Sequence, residues 1–494
     1  MKHRKHLHIG RRASFGLAVA LMGLALSLIN GAALAQTDLD NLGPHIDQAI
    51  ITELEAQYTV GVIIDLADPA AVGLRAPSAD RATMIRNAQD SVLNAVSTAR
   101  GIFHMGHRYS QVPAMSARVD SQMLALLSQH PDVRSVTFDY PIESPSAEVG
   151  LAAAPNAARD GAFAPRMVQA QDVINSDDVF NLGITGAGAR VAIIDTGYRR
   201  DHPDLINSVI AERCFTGAGG TDPQNPPSCL PNDTATSDNA GDEFGHGTGI
   251  AGIITGDGTT QAPRGIAPDT GIIPIRVLNE AGEGVNSDRV AAIDWILANQ
   301  ASLQVDIINM SLGTKLPYAF VCDGAIPASS TALSAAFNAG ITLISSTGNQ
   351  GLNNSTSEPA CHSNVIAVSA TWDSAYVPPN DAQPSSGSRF PPLIPSLPPN
   401  PNYSDIPGFT IFPDCFDATT AIDVVPCFTN MASFMDLFAP GAIITTTGAD
   451  LGQGDTDNSG SFIGSSQAAA LVSGVTAQLL QADPSLTPTQ IRDT

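Results

Sequence analysis

Asp195 in Val191-Ala-Ile-Ile-Asp-Thr-Gly197, His246 in Gly245-His-Gly-Thr248 and Ser466 in Gly464-Ser-Ser-Gln-Ala468 supply an acid, an imidazole and a hydroxyl. Each polar residue lies within two positions of a glycine, where a strand or loop is about to turn. Together they are the parts of an activated nucleophile. The hydroxyl attacks, the imidazole takes and returns its proton, and the carboxylate fixes the tautomer and stabilises the cation. Attack on an acyl carbon also needs donors for the oxyanion. Asn349 in Ser345-Ser-Thr-Gly-Asn349 follows an apolar run and carries an amide for that role, beside the Ser466 backbone N–H. Alone, Asp-Thr-Gly is a turn, Gly-His-Gly a loop and a serine at a helix start an N-cap. Their conjunction at strand ends and helix starts is what points to chemistry.

The elements that must hold these residues are readable as alternating apolar runs and helical patterns. Predicted parallel strands are Arg190–Ile194, Gly271–Val277, Ile307–Met310, Thr342–Ser345 and Val365–Ser369. Predicted helices are Gly247–Thr255, Ser287–Asn299, Thr331–Ala339 and Ser466–Leu480. Strands apolar throughout, alternating with helices, indicate a parallel sheet covered on both faces, an α/β three-layer domain. Asp195 then emerges at the C-terminal end of its strand, where open α/β sheets keep their sites. Ser466 sits in the first turn of a long apolar helix, whose N–H groups and dipole favour negative charge. Upstream, a strand at 58–64, a helix at 82–96, a second helix at 121–129 and a strand at 131–138 read as a small α+β module. Residues 145–166, rich in Ala, Pro and Ser, read as a linker, and the proline-dense 377–412 as a surface insertion.

The first residues form their own class. Met1–Arg12 is basic, an apolar run follows, and Ala33-Leu-Ala35 offers a small-x-small cleavage pattern before Gln36. A signal peptide over 1–35 is expected, with a membrane anchor as the alternative, and hence a secreted chain without a stable membrane span once the signal is removed. All six cysteines, Cys214, Cys229, Cys322, Cys361, Cys415 and Cys427, lie beyond it. An even count in an exported chain favours disulfides over a metal cluster, and pairing of sequence neighbours (214–229, 322–361, 415–427) would close three local excursions. A formal net charge of −24 argues against nucleic acid or an anionic membrane as partner.

The segments resemble the subtilisin-like serine proteases, the subtilases. Asp195-Thr-Gly-Tyr-Arg-Arg-Asp-His-Pro-Asp-Leu205 is similar to the family's Asp motif, and Asp242-Glu-Phe-Gly-His-Gly-Thr-Gly-Ile-Ala-Gly252 to its His motif. Gly265-Ile-Ala-Pro268, Ile308-Asn-Met-Ser-Leu-Gly313 and Asp436-Leu-Phe-Ala-Pro-Gly441 match further landmarks. The resemblance implies a subtilisin-like domain over 167–494 with insertions near 212–240 and 373–428. Before it come a polar segment (36–57), a ferredoxin-like inhibitory propeptide (58–142) and a linker with the maturation cut (143–166). It implies a secreted serine endopeptidase, made as a self-processing zymogen and working as a monomer on polypeptide substrates, with its own propeptide as intramolecular inhibitor. Substrate would lie extended between Gly282-Glu283-Gly284 and Ser311-Leu312-Gly313, with Ser346, Thr347 and Gly348 lining the principal side-chain pocket. Glu283 would then favour basic residues nearby.

No cofactor is required for this chemistry. The resemblance allows structural calcium, with Asp204 matching a usual ligand, although Thr259 stands where an amide or carboxylate would serve better. Departures fall in the Ser motif, where the family usually has Met-Ala-x-Pro-His-Val. Here Gln467 puts a polar amide at an apolar position, and Ala470 replaces a stiffening proline. They motivate the alternative of a degenerate, non-catalytic fold that binds peptides or partners. An esterase would use the same nucleophile but not the clamp segments. The helix start at Thr487-Pro488 lies so near Thr494 that a truncated record is expected.

Overall fold

The computed structural model describes residues 45–67, 78–144, 147–148, 167–217, 226–374, 417, 421–449 and 459–494. The expected signal peptide, most of the linker, most of the 373–428 insertion and Cys415 lie outside the described residues.

Residues 45–138 build a small module. Strands β1 (Val60–Leu66), β2 (Phe103–Arg108), β3 (Ala114–Val119) and β4 (Val133–Phe138) form a sheet of order β2-β3-β1-β4 with antiparallel ladders. Helix Ser78–Thr98 connects β1 to β2 and helix Ser121–Ser128 connects β3 to β4. This is the split βαββαβ, ferredoxin-like arrangement. Its core gathers Val60, Val62, Ile64, Val92, Val119, Leu124 and Leu127. Ile50 and Ile51 join that core from a helix at Gln48–Ala56, with Ile46 just before it. The module therefore begins before residue 58, inside the stretch read as a polar segment. Asp47 starts this helix by accepting from the Ala49 amide.

After β5 (Pro141–Glu143) and β6 (Ala147–Glu148) comes the large body. Its strands are β7 (Arg190–Asp195), β8 (Arg213–Phe215), β9 (Thr236–Ser237), β10 (Gly271–Arg276) and β11 (Glu283–Val285). They continue with β12 (Ile307–Met310), β13 (Gly313–Thr314), β14 (Pro317–Tyr318), β15 (Thr342–Ser346) and β16 (Thr356–Ser357). The last are β17 (Val365–Trp372), β18 (Leu437–Thr447) and β19 (Ser459–Ile463). Ten strands make one sheet in the order β6-β19-β18-β17-β15-β12-β7-β10-β8-β9. Every ladder from β18 to β8 is parallel, and the outer ones are antiparallel.

The central strand shows why such runs carry no polar alternation. Val191 and Ile193 of β7 face one apolar cluster, with Ile250 and Ile254 of helix His246–Thr255 and Ala468–Leu471 of helix Ser465–Ala482. Ala192 and Ile194 face the other, with Val290 and Ile293 of helix Asn286–Ala298 and Ala332 of helix Pro327–Asn338. Successive side chains point to opposite faces, and both faces are covered. The second cluster also takes in Ile63, Tyr109, Val112, Ala114 and Ile142 from the upstream module, so module and body share a core. The strand order switches sides at β7, with β8 and β10 on one side and β12 and β15 on the other, which places a crevice at its C-terminal end. Disulfides Cys214–Cys229 and Cys322–Cys361 close two surface excursions, with Cα atoms 5.8 and 5.4 Å apart. Cys427 of the third expected pair is disulfide-bonded, and Cys415 lies outside the described residues. Among the described residues no helix is long and apolar enough to cross a membrane.

Candidate active site

Asp195 is the last residue of β7 and fully buried. Its Oδ1 lies 2.7 Å from His246 Nδ1 and accepts from the Thr196 amide at 2.7 Å. His246 is the first residue of its helix and is also buried. The two motifs interlock through glycine. Gly197 has φ +105° and a Cβ there would stand 2.2 Å from the Ala240 carbonyl oxygen, while a Cβ on Gly247 would stand 2.1 Å from the Gly197 carbonyl oxygen. The Gly247 amide donates to Thr196 Oγ1 at 2.8 Å, which joins the loop after β7 to the start of the His246 helix.

Sequence reasoning passed over what caps that helix. Gly245 at the N-cap offers no side chain, and Asp242 serves instead. Its Oδ1 accepts from the Phe244 and Gly245 amides, and its Oδ2 from the Thr248 amide and hydroxyl. The signal was present as a carboxylate shortly before an otherwise uncapped helix. Arg276, fully buried and opposite Asp195 in the β10–β7 ladder, donates to the Gly241 carbonyl at 2.7 Å and pairs with Glu243 at 2.8 Å. It fastens the same loop from the other side.

Ser466 is the second residue of helix Ser465–Ala482, in the turn whose amides lack intrahelical acceptors. The start of the helix is tied to the sheet. Ser311 Oγ donates to the Ser466 carbonyl at 2.9 Å, and Asn309 Nδ2 donates to Ser473 Oγ at 2.9 Å. Ser466 Oγ donates to the Ser311 carbonyl at 3.2 Å, and His246 Nε2 is buried without a partner. Asn349 Oδ1 accepts from the Ser465 amide at 2.8 Å and from its hydroxyl at 2.9 Å. The structure thus joins Asp195 to His246 directly and Asn349 to the residue before Ser466, while the Ser466 hydroxyl is turned to Ser311 and not to His246. Gln467 is fully buried and neither its Oε1 nor its Nε2 has a partner, while Ala470 lies in the apolar cluster.

The expected clamp segments are the strands β11 and β13, with Ser311 and Leu312 buried just before the second. Between them lies β5 from the upstream chain. Ile142 pairs with Gly284 and Thr314, and Glu143 with Glu283 and Gly313, all antiparallel. The Ser144 amide donates to the Gly282 carbonyl at 3.0 Å. A shallow recess beside β5 is lined by Glu143, Gly313, Thr314, Ser346, Gly348, Gln350 and Ser357. Further on, β6 pairs with β19, the strand that leads to Ser466. The chain's own segment therefore runs through the site. Glu283 stands opposite Glu143 in the β5–β11 ladder. Lys315 stands between them.

The upstream module holds the same region through polar contacts. Asp139 accepts from the Ser287 amide and hydroxyl, at the start of helix Asn286–Ala298 that has no capping side chain of its own. Burial, opposed by these bonds, pushes Asp139 up to about 7. His107 Nε2 lies 2.6 Å from Asp288, and the Ser110, Gln111 and Val112 amides donate to Asp294.

Asp204 is buried, and hydrogen-bond donors already occupy both of its oxygens. Oδ1 accepts from the Thr259 amide and hydroxyl, and Oδ2 from the Thr260 hydroxyl. The Thr259 amide and the two hydroxyls together tie the carboxylate to its loop. Among the described residues no group of three His, Cys, Asp or Glu could hold a metal.

A model of the subtilase family matches residues 186–494. The minor extracellular protease Vpr of Bacillus subtilis (strain 168) is 33% identical over 213 residues, 43% of this chain and 24% of that protein. A thermostable alkaline protease of Halalkalibacterium halodurans is 29% identical over 267 residues, 53% of this chain and 58% of that protein. The chain thus spans about a quarter to three fifths of the length of these curated relatives. Among solved structures, a cold adapted subtilisin-like serine proteinase aligns at 23% identity and a TM-score of 0.41, over 63% of this chain and 81% of that one.

Proposed function

Since the chain belongs to the subtilase family, we propose that it is a secreted serine endopeptidase made as a self-processing zymogen. Asp195, His246 and Ser466 form the triad in this reading. Ser466 Oγ attacks the acyl carbon while its proton passes to His246 Nε2, and Asp195 holds Nδ1–H and the cation that forms. The oxyanion of the tetrahedral intermediate receives hydrogen bonds from the Ser466 N–H and the Asn349 amide. Collapse expels the amine, which takes the proton from Nε2, and water then repeats the sequence on the acyl-enzyme.

One observation carries the reading: an extended peptide, β5, already lies between β11 and β13 beside Ser466. Strand addition of this kind is how a protein recognises peptides by main chain, and neither an esterase nor a small-molecule hydrolase needs it. The module 45–144 acts as the propeptide, filling the clamp and supplying Asp139 as a cap to a helix of the body. With β5 in the clamp and β6 beside the strand leading to Ser466, maturation cuts the chain between Ser144 and Ala147. Residues 1–35 direct export, and Asp204 anchors its loop without calcium.

A fluorophosphonate probe with peptide mapping tests this. The matured chain takes one label on Ser466 and hydrolyses casein, and Ser466→Ala does neither. An unlabelled Ser466 in matured chain, with no hydrolysis, sinks the reading in favour of a peptide-binding fold.

A further inference from the structure

Glu143 and Glu283 face one another across the β5–β11 ladder. Like charges directly opposite are destabilising unless a cation stands between them. Lys315, which follows β13 directly, is that cation. Its Nζ lies 2.8 Å from Glu143 Oε2 and 4.0 Å from Glu283 Oε1. The Glu143 side chain is 11% exposed, whereas that of Glu283 is 41% exposed. Glu143 is thus the nearer and drier partner. When β5 leaves the clamp, the ammonium loses that partner and keeps a longer contact in water.

Resting on the protease reading, in which β5 stands where substrate will stand, we propose that Lys315 is a specificity-determining residue selecting a Glu or Asp side chain at the substrate position opposite Gly313. The register says which position this is. Gly313 lies two residues after Ser311, whose carbonyl accepts from Ser466 Oγ. A substrate strand antiparallel to β13 therefore brings its second next residue level with Ser311 and the nucleophile. The residue opposite Gly313 is third before the bond that is cut.

The selection is modest by construction. Burial raises the Glu143 carboxyl above its ordinary range, Lys315 pulls it down and Glu283 pushes it up again. With Lys315 and Glu143 only 22% and 11% exposed, desolvation offsets the attraction and leaves a preference of about fivefold at most. That suits an inhibitory segment that must leave after cleavage.

The experiment uses three peptides that differ only in the third residue before the cut, Glu, Gln or Lys. They are offered to the matured enzyme and to its Lys315→Glu and Lys315→Met forms. Wild type is expected to favour the Glu over the Lys peptide about fivefold in kcat/KM, with the ratio shrinking in high salt. Lys315→Glu inverts the ratio and Lys315→Met levels it. Equal rates on the Glu and Lys peptides by wild type overturn the proposal, as does a Lys315→Glu form that slows all peptides by one factor. If wild type cuts none of the peptides and other peptides also survive, the protease reading falls and takes the proposal with it.

Discussion

Gln467 should make this protein less stable than its neighbours permit. The side chain is fully buried in the first turn of helix Ser465–Ala482, and neither amide atom has a hydrogen-bond partner. A buried polar group left unmatched costs about 1–3 kcal/mol, whereas an apolar chain of the same length costs nothing of the kind. Gln467→Met keeps the length and flexibility of the side chain and removes both polar atoms. The expected gain is about 1–3 kcal/mol. Unfolding entropy of about 2.1 cal/mol/K per residue over a body of about 300 residues converts that gain into a Tm rise of about 2–5 °C. Both forms should carry Ser466→Ala, so that self-digestion does not distort the scans. Calorimetry gives the midpoints, and urea titration checks that the gain is thermodynamic and not a slower irreversible step. An unchanged or lowered stability would show that the amide is satisfied, and would refute the reasoning.

Three further outcomes follow from the geometry. Asn349→Leu should lower kcat by about 10²–10³ with little change in KM, because the amide acts on the oxyanion and not on the bound ground state. A rise in KM alone would contradict it. Asp139 is pushed up to about 7 by burial at the junction with helix Asn286–Ala298, facing Asp288 and His107. A raised carboxyl holds its proton in the folded chain while the unfolded chain has lost it, so its contribution falls as pH climbs from about 4 to about 7 and is flat above. The stability advantage of Asp139→Asn in full-length Ser466→Ala chain should therefore grow over that window, by about 2–4 kcal/mol. A pH-independent advantage would remove this role. Finally, a chelator should leave Tm within about 1 °C if Asp204 is held by its own loop as described. A large drop would point to a cation.

Much of the body could be read from the sequence because its strands are buried on both faces. Val191, Ala192, Ile193 and Ile194 are all apolar since each face has its own helix layer, and the same holds for Ile307 and Ile308. The glycines beside Asp195 and His246 flagged a close backbone approach, and that is where the two loops meet. What stayed hidden depends on partners remote in sequence. Strand Phe103–Arg108 carries His107 and Arg108, polar residues with no alternation, because His107 is there to meet Asp288. Helix Gln48–Ala56 shows only Ile50 and Ile51 as buried residues among polar ones, so its pattern resembles a solvated segment. Lys315 carries no local sequence signal, because its partner Glu143 comes from the remote β5.

The central claim is that the triad cuts the strand now lying in its own clamp. Intact mass and N-terminal sequencing of purified wild type and Ser466→Ala chains test it most directly. The account predicts that wild type matures to a chain beginning between residues 145 and 147, while Ser466→Ala keeps its upstream module covalently attached. An uncut wild type, or the same cut in Ser466→Ala prepared without added protease, would contradict it.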